Sequence, residues 1–102
     1  MVVTFADFKV SLSGAAPASQ LAPPLAGLWW AAKGDWDQAH RIVQDDPSRE
    51  AAWVHAYLHR VEGDLSNAGY WYRRAGKPVA NGPLQAEWES IASTLTASPE
   101  PR

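Results

Sequence analysis

The sequence predicts an all-α fold, with two tandem helical hairpins between an N-terminal helix and a C-terminal capping helix. The strongest observation is a repeat: residues 33–39 (Lys-Gly-Asp-Trp-Asp-Gln-Ala) return 29 positions later as residues 62–68 (Glu-Gly-Asp-Leu-Ser-Asn-Ala). Each copy follows an apolar stretch of helical spacing, and a unit of helix, Gly-Asp turn and helix is typical of helical-hairpin arrays. No segment alternates polar and apolar residues like a strand with turn signals at both ends. We therefore expect a single all-helical domain over residues 1–102.

Capping and helix-breaking residues set the boundaries of the elements. Pro23 and Pro24 suit the first turn of a helix, and Gln38, three residues after Asp35, predicts a capping box. Polar residues stand where N-caps are needed, at Thr4, Asp35, Ser48 and Asp64. The predicted segments are an N-terminal helix in 1–13, a linker in 14–23, a first hairpin in 24–46, a second hairpin in 48–76, a capping helix in 83–97 and a frayed tail in 98–102.

The capping helix carries a narrow apolar stripe on an otherwise polar surface. The stripe has near-heptad spacing and consists of Leu84, Trp88, Ile91 and Leu95. Four polar residues are expected to face away from it: Gln85, Glu87, Glu89 and Ser90. Because such a stripe must be buried, we expect this helix to fold back onto the open end of the second hairpin. The alternative is that the stripe pairs with a second copy of the chain in a homodimer.

Composition describes an ordinary globular chain and excludes some partners. Its 102 residues are 46% apolar and 20% charged, with six Trp. The net charge is −2 and the densest basic site is the pair Arg73-Arg74, whereas nucleic-acid binding needs several clustered cations. There is no cysteine, so disulfides and thiolate metal sites are excluded, which fits a reducing compartment. We expect no nucleic-acid partner.

The beginning of the sequence has none of the features of a signal peptide. Met1 is followed by a short apolar run with an early acid, Asp7, and no basic region precedes it. No run approaches the roughly 18 apolar residues that a membrane span requires. We therefore expect a cytoplasmic protein with no membrane partner.

The two hairpins carry the pattern of a known repeat. Both units share four features. These are a small residue at a helix crossing, an aromatic residue or histidine three positions later, a Gly-Asp turn, and an Ala in the second helix. The first unit supplies Gly27, Trp30, Gly34, Asp35, Ala39 and Val43, and the second supplies Ala56, His59, Gly63, Asp64, Ala68, Tyr72 and Ala75. Over about residues 24–78 the chain resembles the tetratricopeptide family. It differs in that its repeat length is 29 residues rather than 34, and in that it has two units where arrays usually have three or more.

The segment 52–76 also resembles a group of small, uncharacterised, mainly bacterial proteins. That resemblance implies the fold and a cytoplasmic setting and brings no activity with it. The tetratricopeptide resemblance implies stacked hairpins whose first helices line a concave groove. From these we expect an interaction module or adaptor for a protein or peptide partner.

The same resemblance places four residues of the second hairpin on the concave face: Trp53, Tyr57, Arg60 and Val61. An aromatic pair beside an Arg is typical of binding hot spots, so these residues are the predicted partner-binding patch. In so short an array the chain's own N- or C-terminal helix can fill the groove instead. We rank that self-filling arrangement slightly ahead.

Three histidines form the second candidate site. His55 and His59 are four residues apart on one helix, with Glu62 three residues further, so the three share roughly one face. His40 lies on the preceding helix. This set suits a divalent metal or another ligand and gives the alternative function, a ligand- or metal-binding protein, conceivably an enzyme. The same spacing also fits half-buried structural histidines, which is the interpretation we place first.

Arg73 and Arg74 are the third candidate site. Arg binds phosphate or carboxylate in bidentate fashion, so the pair predicts an anion clamp, with an ordinary solvated helix face as the favoured alternative. Catalysis is weakly indicated, because the chain has no cysteine, no Gly-x-Ser-x-Gly elbow and no Gly-rich phosphate loop. No cofactor is predicted.

Overall fold

The computed structural model describes residues 3–96, which form six helices and no β-strand. The helices are α1 (Phe5–Ser11), α2 (Pro23–Ala32), α3 (Trp36–Gln44), α4 (Arg49–Val61), α5 (Leu65–Ala75) and α6 (Leu84–Leu95). The prediction of an all-α fold is confirmed. The predicted tail 98–102 and the last residue of the predicted capping helix lie outside the described residues.

Side-chain caps start four of the helices at the predicted positions. The side chains of Thr4, Asp35, Ser48 and Asp64 each accept a hydrogen bond from the backbone N–H three residues later, over distances of 3.0–3.3 Å. The predicted capping box is only half formed. Gln38 supplies its backbone N–H to Asp35, but its side chain accepts a hydrogen bond from Arg41 Nη1 at 2.7 Å. Because Arg41 lies one turn further along α3, it holds the Gln38 amide away from the start of the helix.

The two Gly-Asp turns have nearly the same backbone geometry. Gly34 and Gly63 have φ of +84° and +87°, in the left-handed region that glycine adopts without strain. Asp35 N donates to Trp30 O at 3.0 Å, and Asp64 N donates to His59 O at 2.9 Å. The internal repeat is therefore a repeat of structure as well as of sequence.

The helices form two hairpins packed in tandem. α2 pairs with α3, α4 pairs with α5, and α3 packs against α4 to join the hairpins. Small residues stand where the helices cross: Ala39 and Ala56 are fully buried, and Ala68 is almost fully buried. Such residues let helix backbones approach closely.

α6 packs differently from the prediction. It lies against α2 and α4, the first helices of the two hairpins, rather than on the open end beside α5. Trp88 is 2% exposed, donates its indole N–H to Leu28 O at 2.9 Å and stacks on Phe8 of α1. The groove between α2 and α4 gives the Trp88 indole both apolar neighbours and a backbone acceptor. The chain therefore fills its own groove, as the self-filling alternative predicted.

Among residues 3–96, no helix has the length and apolar character that crossing a membrane requires.

Candidate metal centre

Three histidines converge at the junction between the two hairpins. His40 comes from α3, the last helix of the first hairpin, and His55 and His59 come from α4, the first helix of the second. Spacing of four residues places His55 and His59 on the same face of α4. One ring nitrogen from each of the three histidines lies within 4.8 Å of the other two. The structure therefore brings together the three histidines that the sequence proposed.

The distances within the cluster approach those of a metal site. His40 Nε2 and His55 Nε2 are 3.0 Å apart and share one proton in a hydrogen bond. The ring centroids of the three histidines are 4.7–5.3 Å apart. In a tetrahedral zinc site with Zn–N of ~2.0–2.1 Å, the ligand nitrogens are ~3.3–3.4 Å apart. The separation between His40 Nε2 and His55 Nε2 is close to this value, and a ring nitrogen of His59 lies within 4.8 Å of both residues.

Glu62 orients the third histidine. Its Oε2 lies 2.6 Å from His59 Nδ1, a contact that holds the orientation of the imidazole ring. Metal-binding histidines commonly make such a contact through their other ring nitrogen. The sequence grouped Glu62 with the histidines as a direct ligand, and the structure places it behind His59. Glu62 and Asp64 also form a second, more exposed group with His59.

Two tryptophans hold the imidazole rings in place. Trp71 of α5 stacks on His55 with ring centroids 3.8 Å apart, and Trp36 stacks on His40 at 4.7 Å. Trp36 is fixed in turn, since its indole N–H donates to Leu58 O at 2.6 Å. The cluster therefore lies between two indole rings, with His55 and His59 buried and His40 half-buried. Sequence analysis did not identify Trp36 or Trp71 as part of this site.

The surroundings keep two of the imidazoles neutral. Burial first, and then the neighbouring His40 and His59, lower the pKa of His55 from 6.5 to about 4. The pKa of His40 is also lowered, chiefly by burial and by His59, and Glu62 and Asp37 partly offset the change. At neutral pH both rings are in the unprotonated form that binds metal ions.

The predicted partner-binding patch is partly occupied by α6. Tyr57 is buried, and Arg60 Nη1 lies 2.8 Å from Glu87 Oε1 of α6. Arg60 also donates to Gly82 O, and Tyr72 donates its hydroxyl proton to Glu87. These contacts form a polar lock, defined here as Arg60, Glu87 and Tyr72. The outer members of the patch differ, since Trp53 is half-buried and Val61 is exposed.

Glu87 corrects one expectation from the sequence. It was expected to face away from the apolar stripe of α6, but it is 8% exposed and forms the centre of the lock. Position 87 lies three residues after Leu84 and four before Ile91, so it borders the stripe on the helix surface. That spacing was a signal in the sequence. Its partners, Arg60 and Tyr72, come from α4 and α5 and could not be identified from the sequence.

The two arginines of the predicted anion clamp are exposed and point to different neighbours. Arg74 donates to Tyr70 Oη at 3.3 Å, and its guanidinium carbon lies 5.4 Å from the Trp71 ring. Arg73 extends beside Gly69, where its Nη1 lies 3.7 Å from the point a Cβ would occupy. The anion clamp stays a prediction.

No protein-family model matches this chain, and no curated protein or solved structure is significantly similar to it. Its place among the tetratricopeptide-like proteins, and in a bacterial group, therefore stays a prediction that rests on the residues quoted above.

Proposed function

We propose that this protein binds a divalent transition metal through His40, His55 and His59. The observation that supports the proposal is the convergence of one ring nitrogen from each of these residues within 4.8 Å. The lowered pKa values of His55 and His40 and the contact between Glu62 and His59 are further features that suit a histidine metal site.

The ligand set selects the class of metal. Three imidazoles without thiolate suit Zn²⁺, Co²⁺, Ni²⁺ or Cu²⁺, whereas Mg²⁺ and Ca²⁺ prefer oxygen ligands. Three protein ligands leave a fourth position for water or for a small anion. Since His40 belongs to the first hairpin and the other two ligands to the second, a bound metal would hold the hairpins together. We assign the site a binding role, with no reaction attached to it.

Metal titration of the chelator-treated protein tests the proposal. We expect one Co²⁺ or Zn²⁺ per chain by calorimetry, with the visible absorption of tetrahedral Co²⁺. His40→Ala should weaken binding at least tenfold, and because His40 is only half-buried this variant should keep its helical circular dichroism. Glu62→Gln should weaken binding roughly 10–100-fold, as loss of such an orienting contact does.

Glu50→Gln is the matched control, because Glu50 is an exposed acid on the same helix as His55 and lies outside the cluster. Its affinity should equal that of the unchanged protein. Absence of stoichiometric binding at micromolar metal, or equal affinity in a folded His40→Ala protein, would overturn the metal site.

The second candidate function is the interaction module. The observation that favours it is the exposed apolar surface of the second hairpin, where Val61 is 42%, Leu65 68% and Tyr70 43% exposed. A peptide entering the groove would have to displace α6 from Tyr57 and Arg60, so this surface is a better site for a partner. A cytoplasmic location, which the sequence predicts, is part of this second proposal.

A further inference from the structure

A second group of metal-binding side chains lies beside the three histidines, at the Gly-Asp turn between α4 and α5. One ligand atom from each of His59, Glu62 and Asp64 lies within 4.8 Å of the other two. The group combines one imidazole nitrogen with two carboxylates, a donor set that suits divalent cations. We call these three residues the outer group, and His40, His55 and His59 the inner cluster.

The two groups share one residue and differ in exposure. His59 is 6% exposed and belongs to both groups, whereas Glu62 and Asp64 are exposed to solvent. An ion that arrives from solvent on this side therefore meets the two carboxylates before it meets a buried histidine. Because His59 is common to both groups, the ion can pass from the outer group to the inner cluster by ligand exchange around that one imidazole.

Indole rings cover other approaches to the inner cluster. Trp71 stacks on His55, and Trp36 stacks on His40. The face of an indole is apolar and supplies no ligand to a metal ion. One other acid, Asp37, acts on His40 through its charge, but within residues 3–96 it belongs to no group of ligands. The outer group therefore combines exposure, negative charge and a residue of the inner cluster.

We propose that the outer group is the entry site for the metal, where an incoming divalent ion is captured before it moves to the inner cluster. This inference rests on the proposed metal-binding function. Asp64 is not part of the inner cluster, so its carboxylate affects how fast the ion arrives and leaves, and not how tightly it is finally bound. A negatively charged entrance raises the local concentration of cations and their association rate.

Stopped-flow mixing of the chelator-treated protein with Co²⁺ tests the entry site. Asp64→Asn should slow association roughly tenfold. It should slow dissociation by the same factor, because the ion leaves by the route through which it enters, and the equilibrium affinity should therefore stay unchanged. A ligand of the final site would instead change that affinity. The variant should fold normally, since asparagine is as good an N-cap as aspartate.

Two substitutions serve as matched controls. Asp35→Asn changes the equivalent cap of the first hairpin, 29 residues earlier, and Asp37→Asn removes the acid whose charge acts on His40. Neither residue belongs to the outer group, so both variants should keep the association rate of the unchanged protein. An unaltered rate in Asp64→Asn, or equal slowing by Asp37→Asn, would overturn the entry site.

Mn²⁺ binding to His40→Ala tests the outer group by itself. This variant lacks one ligand of the inner cluster and keeps the outer group complete. Because Mn²⁺ favours carboxylate ligands, it should broaden the backbone amide NMR signals of residues 62–64, and a further Asp64→Asn substitution should abolish the broadening. Broadening that is absent, or that survives Asp64→Asn, would overturn the outer group.

The equilibrium titration separates this inference from the proposed function. Absence of stoichiometric Co²⁺ binding to the unchanged protein would overturn the metal site and the entry role together. Normal equilibrium binding with an unaltered association rate in Asp64→Asn would overturn the entry role alone.

Discussion

Gly27 of α2 faces both the second helix of its own hairpin and the first helix of the next. A Cβ at this position would lie 2.6 Å from Val43 Cγ1 and 3.4 Å from Val54 Cγ1, which belong to α3 and α4. Both valines are fully or almost fully buried and have little room to move. The position 29 residues later holds Ala56, so the second unit of the repeat tolerates one methyl group at the equivalent crossing. The first unit does not, because the buried Val43 side chain of α3 would lie 2.6 Å from the added carbon.

Gly27→Ala should therefore destabilise the protein, although alanine is the better helix former. We expect a net loss of ~1–3 kcal/mol in the free energy of unfolding, the usual effect of overpacking a core. Gly69→Ala is the matched control, since it is also a mid-helix glycine but has open space in front of it. It should gain roughly 0.5–1 kcal/mol from helix propensity. Urea denaturation at low protein concentration measures both, and a stabilised Gly27→Ala protein would contradict the close crossing.

Among the elements, α6 is held in position by polar as well as apolar contacts. The lock of Arg60, Glu87 and Tyr72 joins α6 to α4 and α5, while Trp88 lies beneath it in the core. Burial first, and then the hydrogen bond and charge of Glu87, raise the pKa of Tyr72 above the ordinary tyrosine value of 10.0; nearby Arg60 opposes the shift. The pKa of neighbouring Tyr57 is raised too, mainly by burial.

This lock predicts how stability changes at alkaline pH. Above about pH 10 the unfolded chain releases the Tyr72 proton while the folded chain keeps it, so the folded state binds more protons and loses stability as pH rises. Each such tyrosine adds a slope approaching ~1.4 kcal/mol per pH unit. Tyr72→Phe should lower stability at pH 7 but make the alkaline decline shallower, and Tyr57 should account for part of the remaining slope.

Urea unfolding at several pH values between 8 and about 11 measures that slope. Tyr70→Phe is the control, because it removes an exposed hydroxyl from the same helix. An equal alkaline slope in the unchanged protein and in Tyr72→Phe would contradict the buried state of the Tyr72 hydroxyl.

At the scale of the whole molecule, one core joins five of the six helices. Its buried residues include Phe8 of α1, Trp29 of α2, Val43 of α3, Leu58 of α4 and Ile91 of α6. The smaller core of the second hairpin contains Ala56, Ala68 and Tyr72. Because α6 supplies part of the main core, the two hairpins do not have a complete interior without it.

A chain that ends at Pro83 should therefore aggregate or stay largely unfolded. Addition of a synthetic peptide of residues 84–96 should restore helical circular dichroism and cooperative thermal unfolding, because the peptide refills the groove between α2 and α4. The same peptide with Trp88→Ala is the control and should fail, since truncation of a buried Trp costs ~3–5 kcal/mol. A chain ending at Pro83 that is stable and monomeric by itself would show that α6 is dispensable for folding.

The candidate metal site shows what the spacing of residues along one helix can predict and what it cannot. Spacing along α4 placed His55 and His59 on one face and His40 on the helix before, but the same spacing fits structural histidines, the interpretation that the sequence favoured. Their convergence depends on how α3 crosses α4, and the covering Trp71 comes from α5. A sequence pattern gives the direction of a side chain around its own helix axis. The distance between side chains of different helices is set by packing.

The sequence by itself determined the helices, their caps, the Gly-Asp turns and the pairing of consecutive helices. Each of these depends on backbone dihedral angles and hydrogen bonds within a few residues, and short links bring neighbouring helices together. Only the tertiary structure decided where α6 lies and that Glu87 is buried. An amphipathic stripe must be covered, but which surface covers it depends on the fit and polar partners of surfaces far apart in the chain. Here the groove between α2 and α4 supplied both. Leu28 O accepts a hydrogen bond from the Trp88 indole N–H, and Arg60 pairs with Glu87.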